Sequence, residues 1–544
     1  MRALLVQSPA TSPWVPRRQW EPPSVGVATI AAQTEHHEVW IADLLVYRMA
    51  APARLLEIID EYCPEVVGFS SMTFQYHSTL ELARSVKEHD GSILTVLGGY
   101  HATLCYEQIT TEKPDADIWD FLVRGEGDFA FGELLDCLER RGAGLEQVLG
   151  LSFRRNGRFH HNPPRPAEDL ARIRIPARGR RVTRGFHLYF RPAEVIESSR
   201  GCLHNCNFCS INRMYGRNFR VFPLERVIED VVDAYSRGAR HILFADDNIT
   251  TDMDRLEAMC DGIARLKLRN LHFTTQASPV GFAKRPDVAR KMAEAGFMSI
   301  FLGIENASAK SLRMMRKPNT LKLIRDGVEA IQRANLIVVA GIINGLPHDD
   351  AESIRENYQF IVDMGVTAVM DQLLTPYPGT PLREQLLADN LVDNHTDYRW
   401  YDGYFANVHT EHLSADELSY VRWKSRRELI GMWHPTPADW RHFTSYTALW
   451  QLGLKHLVWL NERLLELLFG LEGRYRLQML QYLHLNRFGL GSVGTNGSIY
   501  HPVFGTPQDP YADSKVSVLR HRRQPRAVPP RPAIQPETER RQAL

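Results

Sequence analysis

Six short apolar runs, at 194–198, 241–245, 271–275, 299–304, 337–343 and 367–373, alternate with helical patterns such as those at 224–237 and 321–334. Strands separated by a whole helix lie parallel, because only a crossover of that length returns the chain in the same direction. Residues 1 to about 140 show the same alternation, with strands predicted at 3–6, 38–42, 66–70, 93–97 and 121–123. The helical pattern at 78–88 between two of them puts Leu80, Leu82, Ala83 and Val86 on one side. The chain therefore reads as two successive parallel α/β units. The first is predicted to be a doubly wound, flavodoxin-like sheet, which binds ligands beyond its strand C-termini at the switch in strand order. In parallel barrels, too, chemistry gathers at strand C-termini.

The residues at those ends are small, polar or acidic. In the first unit they are Ser70-Ser71-Met72-Thr73, Gly98-Gly99-Tyr100-His101 and Arg124-Gly125-Glu126-Gly127-Asp128. Paired glycines let a ligand approach the backbone, and hydroxyls hydrogen-bond amides or phosphate; each such turn alone is equally a plain strand-to-helix turn. In the second unit they are Asp246-Asp247-Asn248, Gln276, Gly303-Ile304-Glu305-Asn306, Gly345-Leu346-Pro347-His348-Asp349-Asp350 and Thr375-Pro376-Tyr377. For each acid, capping a helix N-terminus is the competing explanation.

The first predicted strand of the second unit runs into Ser199-Arg200-Gly201-Cys202-Leu203-His204-Asn205-Cys206-Asn207-Phe208-Cys209. Cys-x3-Cys-x2-Cys offers three thiolates to an iron–sulfur cube and leaves one iron open for chemistry. Zinc, with His204 or a distant side chain as fourth ligand, is the alternative, although zinc sites more often pair Cys-x2-Cys with a second pair that is missing here. Cys63, Cys105, Cys137 and Cys260 are scattered and read as small hydrophobes.

Seven cysteines in 544 residues, three of them clustered, exclude a disulfide framework and point to a reducing, cytoplasmic setting. Net charge of +1 gives no global attraction to nucleic acid or an anionic membrane. The amino terminus carries no signal-peptide pattern. No apolar run is long enough to span a bilayer. Residues 151–160, with Asn156-Gly157, predict a hairpin, and 161–185, rich in Pro and Arg, an ordered linker. Residues 415–490 are strongly helical in pattern. Beyond 502 the chain turns polar, and the Arg- and Pro-rich stretch from 520 to 541 cannot bury a core, so disorder is expected there.

The cysteine run, the acids and glycines after it and the glycine turns before it resemble the cobalamin-binding class of radical S-adenosylmethionine (SAM) enzymes, over roughly residues 1–385. Pro22-Pro23-Ser24-Val25-Gly26 is similar to that class as well. The resemblance implies a cobalamin-binding domain at 1–145, a hairpin and linker at 146–190, a partial (β/α)6 radical SAM barrel at 191–390, a helical C-terminal domain at 391–500 and a tail at 501–544. It implies a [4Fe-4S] cluster on Cys202, Cys206 and Cys209. It implies SAM contacts from Phe208, Asp246 or Asp247, Gln276, Gly303 and Glu305, and cobalamin contacts from Ser70, Ser71, Thr73, Gly98, Gly99, His101, Glu126 and Gly127. The Asp-x-His-x-x-Gly motif that supplies a histidine to cobalt elsewhere is missing, so the lower axial ligand stays unassigned. In the loop after the fifth barrel strand, His348 and Asp349 stand where the family commonly has Gly and Glu.

The reaction so implied is methylation of an unactivated carbon of a small-molecule or lipid-like metabolite through a 5′-deoxyadenosyl radical and methylcobalamin, with an external flavodoxin- or ferredoxin-type electron donor. Oxidative cyclisation of the anaerobic magnesium-protoporphyrin monomethyl ester cyclase type, or ring rearrangement, is the alternative. A non-catalytic cobalamin- or redox-sensing protein is the reading from another class.

Overall fold

The computed structural model describes residues 1–9, 20–112, 115–366 and 368–432, together with Leu460, Leu464, Leu467 and Leu468. The helical pattern expected beyond 432 and the Arg/Pro-rich tail lie outside the described residues, apart from those four leucines.

Two sheets organise the chain. In the first, Glu38–Asp43, Arg2–Gln7, Val66–Ser70, Leu94–Gly98 and Phe121–Val123 lie side by side and parallel, in that order. Numbered along the chain this is 2-1-3-4-5, the flavodoxin arrangement, whose switch point falls beside Arg2–Gln7. The strands are apolar on both faces because helices cover both. Leu4 and Val6 pack with Leu55, Ile58, Leu80 and Val86 from helices Ala51–Tyr62 and Tyr76–His89. Ala3 and Leu5, alternating with them, pack with Val27, Ala31, Phe131 and Leu134 from Val25–Ala32 and Ala130–Glu139. The expected hairpin forms from Leu151–Arg155 and Arg158–His161. It does not stand apart from the sheet but adds two antiparallel strands to its edge.

In the second sheet, Arg191–Ile196, His241–Phe244, His272–Ala277, Phe297–Glu305, Ile337–Asn344 and Ala368–Leu373 are six parallel neighbours. The fold class is the one anticipated, an α/β chain with a flavodoxin-like domain followed by a partial barrel. One strand end differs. The run expected at 194–198 leaves the ladder after Ile196, because Ser198 N–H donates to the Asp246 carboxylate. Ser199–Gly201 then pairs with Phe219–Val221 as a separate hairpin enclosing the cysteine loop. Trp20–Glu21, from the first unit, pairs with His187–Leu188 at the edge of the barrel sheet.

Helix starts follow capping chemistry: Thr320 accepts from Leu323 N–H, and Asp350 and Ser353 cap Ala351–Asp363 reciprocally. The Pro/Arg-rich linker is anchored to both units. Arg178, buried, bonds Asp230 at 2.5 Å and Val195 O at 3.0 Å, while Arg180 donates to Ala31 O at 2.8 Å.

Candidate active site

The strand C-termini of the two sheets face each other across one cavity of about 510 Å³. Its first wall includes Ser70, Gly98, Gly99, Tyr100 and the turn Gly125–Asp128, and its second includes Glu197, Arg200, Tyr215, Ala245 and Asp247. The rings of Tyr100 and Tyr215 meet across the boundary edge to face, 6.2 Å apart. Gly99 sits at φ +91°, and a Cβ there would lie 2.8 Å from Ser71 O, so this turn requires glycine.

The cysteine loop is tied down along its length. Asn207 donates through its backbone to Met315 O (3.2 Å) and through its side chain to Met314 O (3.0 Å). Asn212 and Arg217 donate to the carbonyls of His204 and Leu203, at 2.9 and 3.0 Å. Gly201 opens the loop at φ +86°, where a Cβ would strike Asn218 O. Cys206 is buried, Cys202 and Cys209 half-buried. Burial pushes the Cys206 thiol up to about 11 and the Cys209 thiol up to about 12, partly countered by Lys317. Three thiols on one braced loop suit a cluster with one iron left open, since Cys63 is exposed and Cys105, Cys137 and Cys260 are buried in other parts of the fold.

The two adjacent aspartates separate. Asp246 is fully buried, and its carboxylate accepts from Ser198 N–H (3.1 Å), Ser198 Oγ (2.6 Å) and Ser199 Oγ. Asp247 lines the cavity and accepts from Gly201 N–H at 2.7 Å. Burial pushes its carboxyl up to about 7 against the pull of that hydrogen bond. Asn248 follows, its amide 4.0 Å from Cys202 Sγ.

Glu305 ends its strand at φ +67°, after a register shift at Gly303 that turns its side chain. Its Oε1 accepts from Lys317 Nζ at 2.6 Å. Burial opposes the Lys317 charge, but Glu305 and the nearby thiols hold its value up. A side chain on Gly303 would meet both Glu305 Oε1 (2.6 Å) and Lys317 Nζ (2.9 Å). Phe208 packs against the edge of the barrel core. Gln276, half-buried on His272–Ala277, does not line the shared cavity. In the loop after Ile337–Asn344, Asp349 Oδ2 accepts from Gly345 and Leu346 N–H (2.8 and 3.0 Å), so this chain closes the loop with its own acid.

Ser70, Gly98, Gly99, Glu126 and Gly127 line the shared cavity; the side chains of Ser71, Thr73 and His101 do not. Ser71 Oγ accepts from Thr79 Oγ1 (3.1 Å), and Thr73 is buried in a short 3-10 turn. His101 is wholly buried and borders a second cavity of about 190 Å³, between Tyr76 and Tyr398. The Glu126 carboxylate is held by Arg200 and Arg220. Asn248 stood among the strand-end residues read from the sequence; Lys317 and Arg200 carried no such signal. Only the Ser-Arg-Gly approach to Cys202 placed Arg200 near the loop in sequence.

Residues 196–361 match the radical SAM superfamily and residues 18–135 the B12 binding domain. An uncharacterized methyltransferase, PH0819, of Pyrococcus horikoshii is 30% identical over 400 residues, spanning 73% of this chain and 85% of that protein. The chain belongs to the cobalamin-binding radical SAM family. Anaerobic magnesium-protoporphyrin IX monomethyl ester cyclase of Synechocystis is 24% identical over 474 residues, 83% of this chain and 87% of the cyclase. Among solved structures, the radical SAM methyltransferase TsrM of Kitasatospora setae shares the fold at a TM-score of 0.64 and 14% identity, over 85% of this chain and 99% of TsrM. The family's cofactors are a [4Fe-4S] cluster, SAM and cobalamin. No helix among the described residues is long and apolar enough to cross a membrane.

Proposed function

We propose that this radical SAM enzyme methylates an unactivated carbon of a small-molecule or lipid-like substrate. The single observation that carries the reading is the shared cavity, walled by the glycine turns of the B12-type sheet on one side and by Arg200, Ala245 and Asp247 beside the thiol loop on the other. The residues present suit the groups the family uses. Cβ atoms at Gly26 and Gly125, both lining the cavity, would meet nothing within 4 Å, so the space over them is open to a large planar ligand.

When bound, these groups supply the reductive cleavage of SAM, hydrogen abstraction from the substrate and delivery of methyl. The chain's part is to hold and shield them. Cys202, Cys206 and Cys209 bind the cluster. Asp247 accepts from the SAM ammonium, the second oxygen of Glu305 accepts from ribose hydroxyls, and Phe208 lies against adenine. Ser70, Gly98, Gly99 and Gly127 form the corrin-side wall within a domain spanning 1–145, and the barrel spans 191–390. The two apposed walls exclude water from the reacting carbon. A flavodoxin- or ferredoxin-type protein supplies electrons, and a reducing cytoplasm suits the loop.

Anaerobic reconstitution with iron and sulfide, followed by assay of 5′-deoxyadenosine and S-adenosylhomocysteine, tests this. Both products are expected, and Cys202→Ala, Cys206→Ala or Cys209→Ala abolishes both. 5′-Deoxyadenosine alone overturns methyl transfer in favour of cyclisation or rearrangement, as in the Synechocystis relative. Neither product, or zinc in place of iron, overturns the enzyme reading.

A further inference from the structure

The Gly125–Asp128 turn spends its two carboxylates on the thiol loop's hairpin. Arg200, two residues before Cys202, forks onto both oxygens of Asp128 (2.7 and 3.1 Å) and reaches Glu126 (3.1 Å) and Glu197 (2.9 Å). Arg220, its register partner in the hairpin, grips both oxygens of Glu126 at 2.7 and 3.0 Å. Exposure of the five side chains runs only from 5% to 15%. Such desolvated, bidentate pairs are geometrically demanding, because any slippage strands a buried charge. One step along, Gly201 N–H holds Asp247, which lines the same cavity as the 125–128 turn.

The units are also joined elsewhere: Arg180 ties the linker to the first helix and Arg178 ties it to the barrel. Those contacts touch neither the thiol loop nor the 125–128 turn. The Arg200 network, beside the Tyr100–Tyr215 ring contact, connects a corrin-side wall by buried charge to the segment carrying Cys202.

We propose that Arg200 is a positioning residue that couples the two halves of the site: ordering the 125–128 turn by a corrin orders the cysteine loop, and loading the loop tightens corrin binding. This rests on the reading of the cavity given above. Coupling of this kind is reciprocal, so it can be read from either ligand.

The test is an absorbance titration of the full-length protein with hydroxocobalamin, before and after anaerobic reconstitution of the cluster. The wild-type chain is expected to bind about tenfold more tightly with the cluster in place. In Arg200→Lys, which keeps the charge and loses the fork, the ratio is expected to fall below about twofold. Asp128→Asn attacks the same link from the other side and serves if Arg200→Lys does not fold, as judged by thermal unfolding. Arg285→Lys, in a surface network on the barrel's far helices, leaves the ratio at its wild-type value. A clamp that is only structural weakens both affinities equally and preserves the ratio, which overturns the proposal, as does a wild-type ratio of one. A wild-type chain that binds no hydroxocobalamin in either state overturns the site reading itself.

Discussion

Lys317 Nζ lies 2.6 Å from Glu305 Oε1, with both side chains about one-tenth exposed, and the pair sits beside the thiol loop. Removing one partner of a buried ion pair leaves an uncompensated charge, which costs about 3–5 kcal/mol. Lys317→Met is therefore expected to be strongly destabilised, by urea unfolding of the cluster-free protein. Pairing it with Glu305→Gln recovers much of the loss, since no bare carboxylate then remains. A double variant no more stable than Lys317→Met contradicts this account.

Adjacent aspartates give opposite phenotypes. Asp246→Asn places an amide where Ser198 and Ser199 already donate, so stability falls by about 1–3 kcal/mol. Asp247→Asn keeps the fold and weakens SAM binding about tenfold, the worth of one charge-assisted hydrogen bond. Thermal unfolding and equilibrium dialysis with SAM separate the two.

Gly99→Ala forces a side chain into φ +91°, with its Cβ 2.8 Å from Ser71 O and 2.9 Å from Ser71 N. The backbone must shift, at a cost of about 1–3 kcal/mol. Because Ser70 and Gly98 line the cavity at that turn, hydroxocobalamin affinity falls with it. Unchanged binding in a folded Gly99→Ala protein would separate this turn from the corrin site.

Burial pushes His101 down to about 3 from 6.5, between Tyr76 and Tyr398. A depressed histidine value means the unfolded chain takes up a proton first. Its stability is therefore full above pH 6.5 and falls as the pH drops toward 3. His101→Phe removes that dependence. Its unfolding free energy should lose about 1.4 kcal/mol less per pH unit than the wild type's between pH 6 and 4. Asp43 and Asp349, both raised by burial to about 6, act in the opposite direction in wild type and variant alike, so they cancel in the comparison.

What could be read in advance divides along the lines of locality. Cys202, Cys206 and Cys209 were legible because they share one short loop, and the strand ends were legible because period and turn chemistry are local properties. Asp246 and Asp247 could not be told apart as letters. Successive side chains leaving a strand point to opposite sides, and which side is the cavity depends on the packed sheet. Glu126 lines the cavity as its glycine turn suggests, but no local pattern could show that its carboxylate also serves Arg200 and Arg220, 74 and 94 residues away.

The sequence by itself determined two parallel α/β units, the order in which they occur and the thiol chemistry placed at the start of the second. Periodicity, turn residues and ligand spacing are each written within a few consecutive positions. Only the tertiary structure decided which acid faces the cavity, that Lys317 neutralises Glu305, and that Arg200 joins the 125–128 turn to the cysteine loop. Those are pairings between distant segments, and their partners are chosen by which charges lose water together when the sheets close on one another.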